Sequence, residues 1–477
     1  MLKDWNIDRL LLFFLPLLFL ISLVWMTDEL VLPASSLILS ILFYIFLTYK
    51  DRLVLGFSGI RVASIPSSII ATYTVFIAIP SIYILSIKDD PSEITYFISV
   101  ILFYFLFPAG MHLGRILRPI HNKDMYRLFT QIEYKNENDP YFFEVLVVIL
   151  SLSIMILIGY LLRVDEIPIF QLLRDPGNSA RYFLMREEAL KLLGITKVER
   201  YLFFWLRSFF VPFGIVGSLH LATQYKKKKY ILLFILFLIF GLFTNSITLE
   251  KSPIASIFLS IATYILIRKK DISLKLVISF ISIILAGPIL ITYLLIADRQ
   301  GIFEIILWSY LIRIFQIPAE ALFHYFNIFP DIHPFLLGRS SQLFSWLYID
   351  GTFPISNYVA SIWWKDPFTT GFANANYLGS YWADFGWIGI IISTFALGMI
   401  VYFLQWKILE VCKYKISIIY FICAAICVPN FTFAFFSTAF TRIFFTRGLI
   451  LLVLFLFVYE YVIESSQRYK RRSYEMA

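Results

Sequence analysis

The chain reads as an all-α integral membrane protein of about twelve transmembrane helices with two large polar loops on one face. Three observations predict this. Of its 477 residues, 60% are hydrophobic and only 15% charged, with a mean hydropathy of +0.79; a soluble domain of that composition would carry more apolar surface than any core could hide. Apolar runs of roughly 17 to 24 residues recur along the length, enough for helices rising 1.5 Å per residue to cross about 30 Å of hydrocarbon. Strand-length alternation is absent, which argues against a barrel.

The predicted spans are Leu10–Trp25, Leu30–Thr48, Ile65–Ile87, Ile94–Leu113, Phe142–Leu162, Tyr201–Gln224, Tyr230–Thr248, Pro253–Ile267, Leu274–Ala297, Gly386–Leu404, Ile416–Phe436 and Gly448–Val462. Placing the N-terminus in the cytoplasm collects Lys50, Arg52 and Arg61, then Arg115, Arg118, Lys123, Arg127 and Lys135, on one side. Lys226 to Lys229, Arg268 to Lys270 and the tail Arg468 to Arg472 fall there too, so both termini are expected inside. The short opposite connections, Thr27-Asp28-Glu29 and Lys88 to Glu93, are acidic. Pro429-Asn430 interrupts the eleventh span, and the aromatic segment after it reads as a candidate re-entrant piece. The first apolar run lacks a small-residue cleavage site and is expected to be retained. Cys412, Cys423 and Cys427 lie on or inside the eleventh span, where they read as small apolar core residues and not as a disulfide or metal set.

The two long polar segments, residues 163–200 and 298–377, fall on the outer face by this count. Bases on the inner face are mostly Lys, whereas the outer ones are mostly Arg: Arg163, Arg174, Arg181, Arg186, Arg200, Arg207, Arg299, Arg313, Arg339, Arg442 and Arg447. A guanidinium keeps its charge and offers a planar fork that binds phosphate or carboxylate through paired hydrogen bonds, so the bias suits a diphosphate or acidic sugar at the outer surface.

In the first loop, Pro176-Gly177 makes a turn and Asn178 or Ser179 can cap a helix over Ala180–Leu193, whose apolar face would lie on the membrane. Arg181 and Arg186 stand about 140° apart on it. Arg207 sits about two turns inside the sixth span, where an ionised group is expected to face a polar cavity. Between spans seven and eight, Thr244 to Pro253 forms a polar hairpin, with Pro253 in the first turn of the eighth span and Glu250 and Lys251 at its mouth. The second loop runs through Asp298-Arg299, an amphipathic stretch Ile302–Phe326 carrying Arg313, Glu320 and His324, then Pro330 to Pro334 around His333, then Gly338-Arg339-Ser340. Trp308, Trp346, Trp363, Trp364, Trp382 and Trp387 cluster in or just beyond it, as an interfacial aromatic belt or as faces for sugar stacking.

These residues carry a resemblance. The Lys251-Ser252-Pro253 hairpin, the Gly338-Arg339-Ser340 element, the segment Asn376 to Gly389 and Arg447-Gly448 opening the last span resemble the bacterial oligosaccharide repeat-unit polymerases, the O-antigen polymerase (Wzy) family. The resemblance implies a GT-C-like glycosyltransferase of the bacterial inner membrane. Such an enzyme joins repeat units carried on undecaprenyl diphosphate, moving the growing chain from its lipid onto the next unit for O-antigen, lipopolysaccharide or capsule. Its expected partners are that lipid-linked oligosaccharide, membrane lipids and a chain-length regulator protein, with no nucleic acid.

Departure of a lipid diphosphate builds negative charge that preorganised arginines can stabilise, so no metal and no cofactor is expected. Arg207, Arg299 and Arg339 are the expected catalytic arginines, with His333 beside Asp331 as the first choice of proton acceptor among His324, His333, Asp331, Asp384, Glu250 and Asp298. Arg181, Arg186, Lys251, Arg313, Arg447 and Asp384 are the expected substrate contacts. A lipid-linked oligosaccharide flippase, or a ligase that transfers finished polymer, are the alternative readings of the same inventory; a transporter would show paired charges deep in several helices and broken spans in matching halves.

Overall fold

The computed structural model describes residues 64–87, 92–119, 142–174 except 165, 197–268, 312–341, 351–367, 371–412, 417–437 and 440–475, together with residues 90, 185, 279, 282, 289, 347 and 348. Among these residues the secondary structure is helical throughout and no strand occurs. Eight helices are long and apolar enough to cross a membrane, and Leu449–Val462 adds a shorter apolar helix. The protein is therefore an all-α, multi-pass membrane protein. The expected spans Leu10–Trp25 and Leu30–Thr48 lie outside the described residues, as do nearly all of Leu274–Ala297 and of the surface helix Ala180–Leu193.

The chain divides into two units. The first takes residues up to Thr130, Leu307–Phe403 and Phe431–Ile443. Its helices are α1 (Ile65–Tyr73), α2 (Ile79–Ile87), α3 (Glu93–Leu117), α10 (Ile317–Ile328), α11 (Ile355–Trp363) and the larger part of α12 (Tyr377–Val411). Five-residue π-helical segments join α1 to α2 (Thr74–Ala78) and lead into α10 (Ile312–Gln316). Ser64 caps α1 by accepting from the Ser67 amide at 3.2 Å, and Pro66 occupies its first turn.

Aromatic stacking and close backbone approach hold this unit together. Tyr73 stacks on Phe103 at 3.7 Å and donates its hydroxyl to the Val100 carbonyl at 2.8 Å. Tyr96 receives or donates a 2.6 Å bond with Ser81 and donates to the Ala319 carbonyl at 3.2 Å, tying α2, α3 and α10. Each such bond between membrane helices contributes about 0.6 kcal/mol on average. On α3 and α12, Gly110 and Gly398 let the two backbones touch: a Cβ on Gly110 would stand 2.0 Å from the Phe395 carbonyl oxygen, and one on Gly398 2.0 Å from that of Phe107.

The second unit takes Gln131–Ile306, Leu404–Asn430 and residues from Phe444 onward. It holds α4 (Phe142–Leu161), α5 (Pro168–Arg174), α6 (Lys197–Trp205), α7 (Val211–Tyr225), α8 (Lys228–Ser246), α9 (Lys251–Arg268), most of α13 (Ile418–Ser437) and α15 (Leu449–Glu475). The short α14 (Phe440–Phe445) precedes α15. A π-helical segment, Leu206–Phe210, joins α6 to α7. Gly214 receives the ring of Phe237, Ser260 donates to the Ala425 carbonyl at 2.8 Å, and Phe213 meets Phe455 edge-on at 5.1 Å, which fastens α7 to α8, α9 to α13 and α7 to α15. Val148, Met155 and Ile158 on α4 and Leu232, Leu236 and Ile239 on α8 are exposed, as expected of helices that are apolar all round and meet lipid.

The stretch labelled α12 is two helical arms that meet at a kink at Gly386 (φ 58°, ψ −136°), so the expected start of the tenth span at Gly386 coincides with the second arm, and a further helical arm from Tyr377 precedes it. Only glycine adopts that backbone without steric cost, and the bend passes the ring of Phe335. The eleventh span is one helix that keeps Pro429 in its interior, so the expected interruption does not occur. Cys412, Cys423 and Cys427 are buried, as expected of small apolar core residues.

Candidate functional site

In the second unit, one buried charge cluster forms where the π-helical segment, the α8–α9 hairpin and the turn before α15 contribute side chains. Arg207 lies on the π-helical segment and is 5% exposed. The extra residue of such a bulge redirects side chains and is common at functional sites. Insertion scales put an arginine at a helix centre at about 2.5–3.5 kcal/mol unfavourable, so its partners matter. Its Nη1 donates to Glu250 Oε2 at 2.6 Å, and its guanidinium lies 5.4 Å from the centre of the Phe203 ring. Phe203 in turn stacks on Tyr160 at 4.2 Å.

Glu250 is 27% exposed and takes a further bond from Thr248 Oγ1 at 3.1 Å. It directly precedes α9, where the helix dipole favours a negative group. The hairpin holding it is strained: Leu249 has φ 55°, a left-handed conformation costly for a branched apolar residue, and its buried side chain packs on Leu172 of α5. Packing against the first polar loop thus stabilises the backbone that aims Glu250.

Arg447 completes the cluster. It is half-buried in the turn before α15, and Gly448 (φ 72°) makes that turn possible while approaching Trp205 to a distance a Cβ would crowd. Trp205 Nε1 donates to the Phe445 carbonyl at 2.6 Å, and Asn430 Nδ2 reaches the Arg447 carbonyl at 3.5 Å. Burial pulls the Arg447 guanidinium down to a pKa of about 10; Glu250 opposes that shift and Arg207 adds to it, so the side chain stays charged near neutral pH.

Donors are left over in this cluster. Arg207 Nε and Nη2 and the Tyr160 hydroxyl are buried and make no hydrogen bond among the described residues, and Asn245 Oδ1 at the end of α8 is an acceptor likewise unmatched there. Tyr160 is 4% exposed. Arg207 and Arg447 both lie near the Glu250 carboxylate, and the spare N–H groups of Arg207 and the Tyr160 hydroxyl are donors of the kind that an anion satisfies.

In the first unit, Gly338-Arg339-Ser340 is held against α12. Ser340 gives Asp384 both its amide (3.1 Å, to Oδ1) and its hydroxyl (2.6 Å, to Oδ2), while the Leu336 and Leu337 amides bond the Ala383 and Asp384 carbonyls at 2.8 and 2.9 Å. Arg339, between the clamped residues, sets its guanidinium 5.6 Å from the Tyr348 ring centre, and its carbonyl accepts from the Phe353 amide at 2.8 Å. Asp384, expected as a substrate contact, is 1% exposed and accepts both of its bonds from the loop that carries Arg339. His333 stands in a ring of Phe329, Phe353 and Tyr358, at 5.2 to 5.4 Å between centroids. Its Nδ1 faces the Pro334 carbonyl at 2.7 Å, which takes the place of the Asp331 carboxylate that sequence proximity suggested.

Of the residues expected from sequence, Arg207 and Arg447 come together around Glu250, with Lys251 next along the chain at the start of α9. Arg339, Asp384, His333 and the exposed Arg313 belong to the first unit. Arg181, Arg186 and Arg299 lie outside the described residues. Sequence reasoning missed Tyr160, whose hydroxyl closes an otherwise apolar run, and the pairing of Arg207 with Glu250 across the intervening helices. A lone arginine inside a span was the signal for that pairing, since it demands a buried acid.

No family model, curated protein or solved structure matches the chain.

Proposed function

We propose that this protein is a polymerase of undecaprenyl-diphosphate-linked oligosaccharide repeat units, transferring the growing glycan from its lipid onto the next lipid-linked unit for surface polysaccharide. The observation that carries the reading is the buried Arg207 beside the half-buried Arg447, with donors of Arg207 and the Tyr160 hydroxyl left over for a multiply charged oxyanion. In this reading the chain has about twelve GT-C-like spans in the inner membrane, with both termini cytoplasmic. The acceptor sugar's hydroxyl attacks the anomeric carbon as the bond to the lipid diphosphate breaks. Charge accumulates on the departing diphosphate, and fixed donors in a site shielded from water stabilise it without reorganising. The arginine pair supplies that charge without a metal ion.

The direct test is incubation of purified protein with lipid-linked repeat units in the presence of chelator, followed by sizing of the product. A ladder of lengths is expected, and unextended units from active, folded protein would overturn the reading. In cells, a deletion strain is expected to carry single-repeat caps on its surface glycan. Unattached polymer would indicate a ligase instead, and cytoplasmic accumulation of the lipid-linked unit a flippase.

A further inference from the structure

The cluster around Arg207 has a feature that anion binding alone leaves open: a carboxylate already occupies the guanidinium. Glu250 bonds Nη1, whereas Nε and Nη2 of the same 5% exposed side chain make no hydrogen bond among the described residues. Glu250 thus leaves part of the Arg207 guanidinium unused, and unsatisfied buried donors cost about 1–3 kcal/mol each. A phosphoryl group presents three acceptor oxygens and up to two negative charges, which matches two guanidinium groups and the Tyr160 hydroxyl better than one carboxylate does.

We propose that Arg207, Arg447 and Tyr160 bind a phosphoryl dianion in exchange for Glu250, which is the counter-ion that the fold itself supplies to Arg207. Three structural features make Glu250 fit for release. It is the most exposed member of its ion pair, at 27% against 5% for Arg207. Its backbone follows the strained Leu249, so the hairpin stores conformational energy that motion can relieve. Its position ahead of α9 means that a phosphate entering there also meets the positive end of the helix dipole. The exchange keeps the arginines paired in both states, which avoids ever leaving a buried guanidinium without an anion. The proposal rests on the polymerase reading only for the carrier of that phosphate, an isoprenyl diphosphate.

The test is calorimetric binding of inorganic pyrophosphate to the full-length protein in detergent at low ionic strength. Removing a competing counter-ion must strengthen the ligand, so Glu250→Gln is expected to bind pyrophosphate about tenfold more tightly than the natural protein. Equal or weaker binding by Glu250→Gln overturns the proposal, as does absence of pyrophosphate binding by both. The gain must also vanish in an Arg207→Gln background, because competition is for that guanidinium; a gain that persists there reflects long-range charge and overturns the exchange. Thermal melting of each variant checks folding, and the neutral pair Arg207→Gln with Glu250→Gln leaves no unpaired buried charge. Nanodiscs containing an isoprenyl diphosphate are expected to compete with pyrophosphate, whereas phosphatidylglycerol nanodiscs are not. Competition by phosphatidylglycerol alone overturns the assignment of the carrier. Failure of chain extension with the binding pattern intact sinks the polymerase reading and leaves the exchange standing.

Discussion

Ser340 engages Asp384 twice, its amide reaching one carboxylate oxygen at 3.1 Å and its hydroxyl the other at 2.6 Å, so residues far apart in sequence fix one loop. The loop between them and α12 carries Arg339, and its shape follows from the carboxylate it encloses. Hydrogen bonds to a charged acceptor contribute about 1.5–3 kcal/mol each, roughly twice those between neutral groups.

Replacing Asp384 with Ala is therefore expected to destabilise the protein by about 2–3 kcal/mol, because the Ser340 donors are left without their acceptor. Ser340→Ala removes only the hydroxyl bond and should cost about half of that. Thermal unfolding in detergent measures both. Equal melting temperatures for Asp384→Ala and the natural protein would show that the loop is held by other contacts.

Gly398→Ala puts a methyl group 2.0 Å from the Phe107 carbonyl oxygen, a backbone atom that cannot rotate away. The helices α3 and α12 must separate, and overpacking of this kind costs about 1–3 kcal/mol or more. Gly110→Ala meets the Phe395 carbonyl in the same way. Because both changes force apart one interface, the double variant should cost less than the sum of the singles, which a double-mutant cycle reads directly.

Arg207→Lys keeps the charge but loses the planar fork, and its ammonium cannot serve Glu250 and a second anion from one fixed geometry. Long-chain product is expected to fall at least tenfold with protein level unchanged. A normal ladder on electrophoresis of surface glycan would remove Arg207 from the functional site.

Arg447 offers a test by pH. Burial lowers its guanidinium from the usual arginine range to about 10, which leaves it charged at neutral pH. A lysine starts about two units lower, and the same burial pushes it down further, so its charge is lost at lower pH than that of the natural arginine. The charged form is present below the folded pKa and is lost as pH rises through it. Pyrophosphate binding by Arg447→Lys should thus weaken relative to the natural protein as pH rises above neutral. Parallel profiles for the two proteins would place Arg447 outside the anion site.

Composition and hydropathy determined most of the architecture, because a lipid solvent demands long apolar helices and permits few alternatives. The nine expected spans that fall on described residues are matched by eight candidate membrane helices and the shorter apolar helix Leu449–Val462. Arg207 was legible as a functional candidate for the same reason: an ionised group inside a span needs a compensating partner. What that partner is depends on which helix ends meet, and only the folded chain brings Glu250 and Arg447 to Arg207. The course of the chain at Gly386, the enclosure of Asp384 by the Ser340 loop and the burial of the Tyr160 hydroxyl likewise arise from tertiary packing. Local spacing carries no record of these, since each joins segments whose separation in sequence is set by intervening apolar helices and whose approach is decided by how those helices pack.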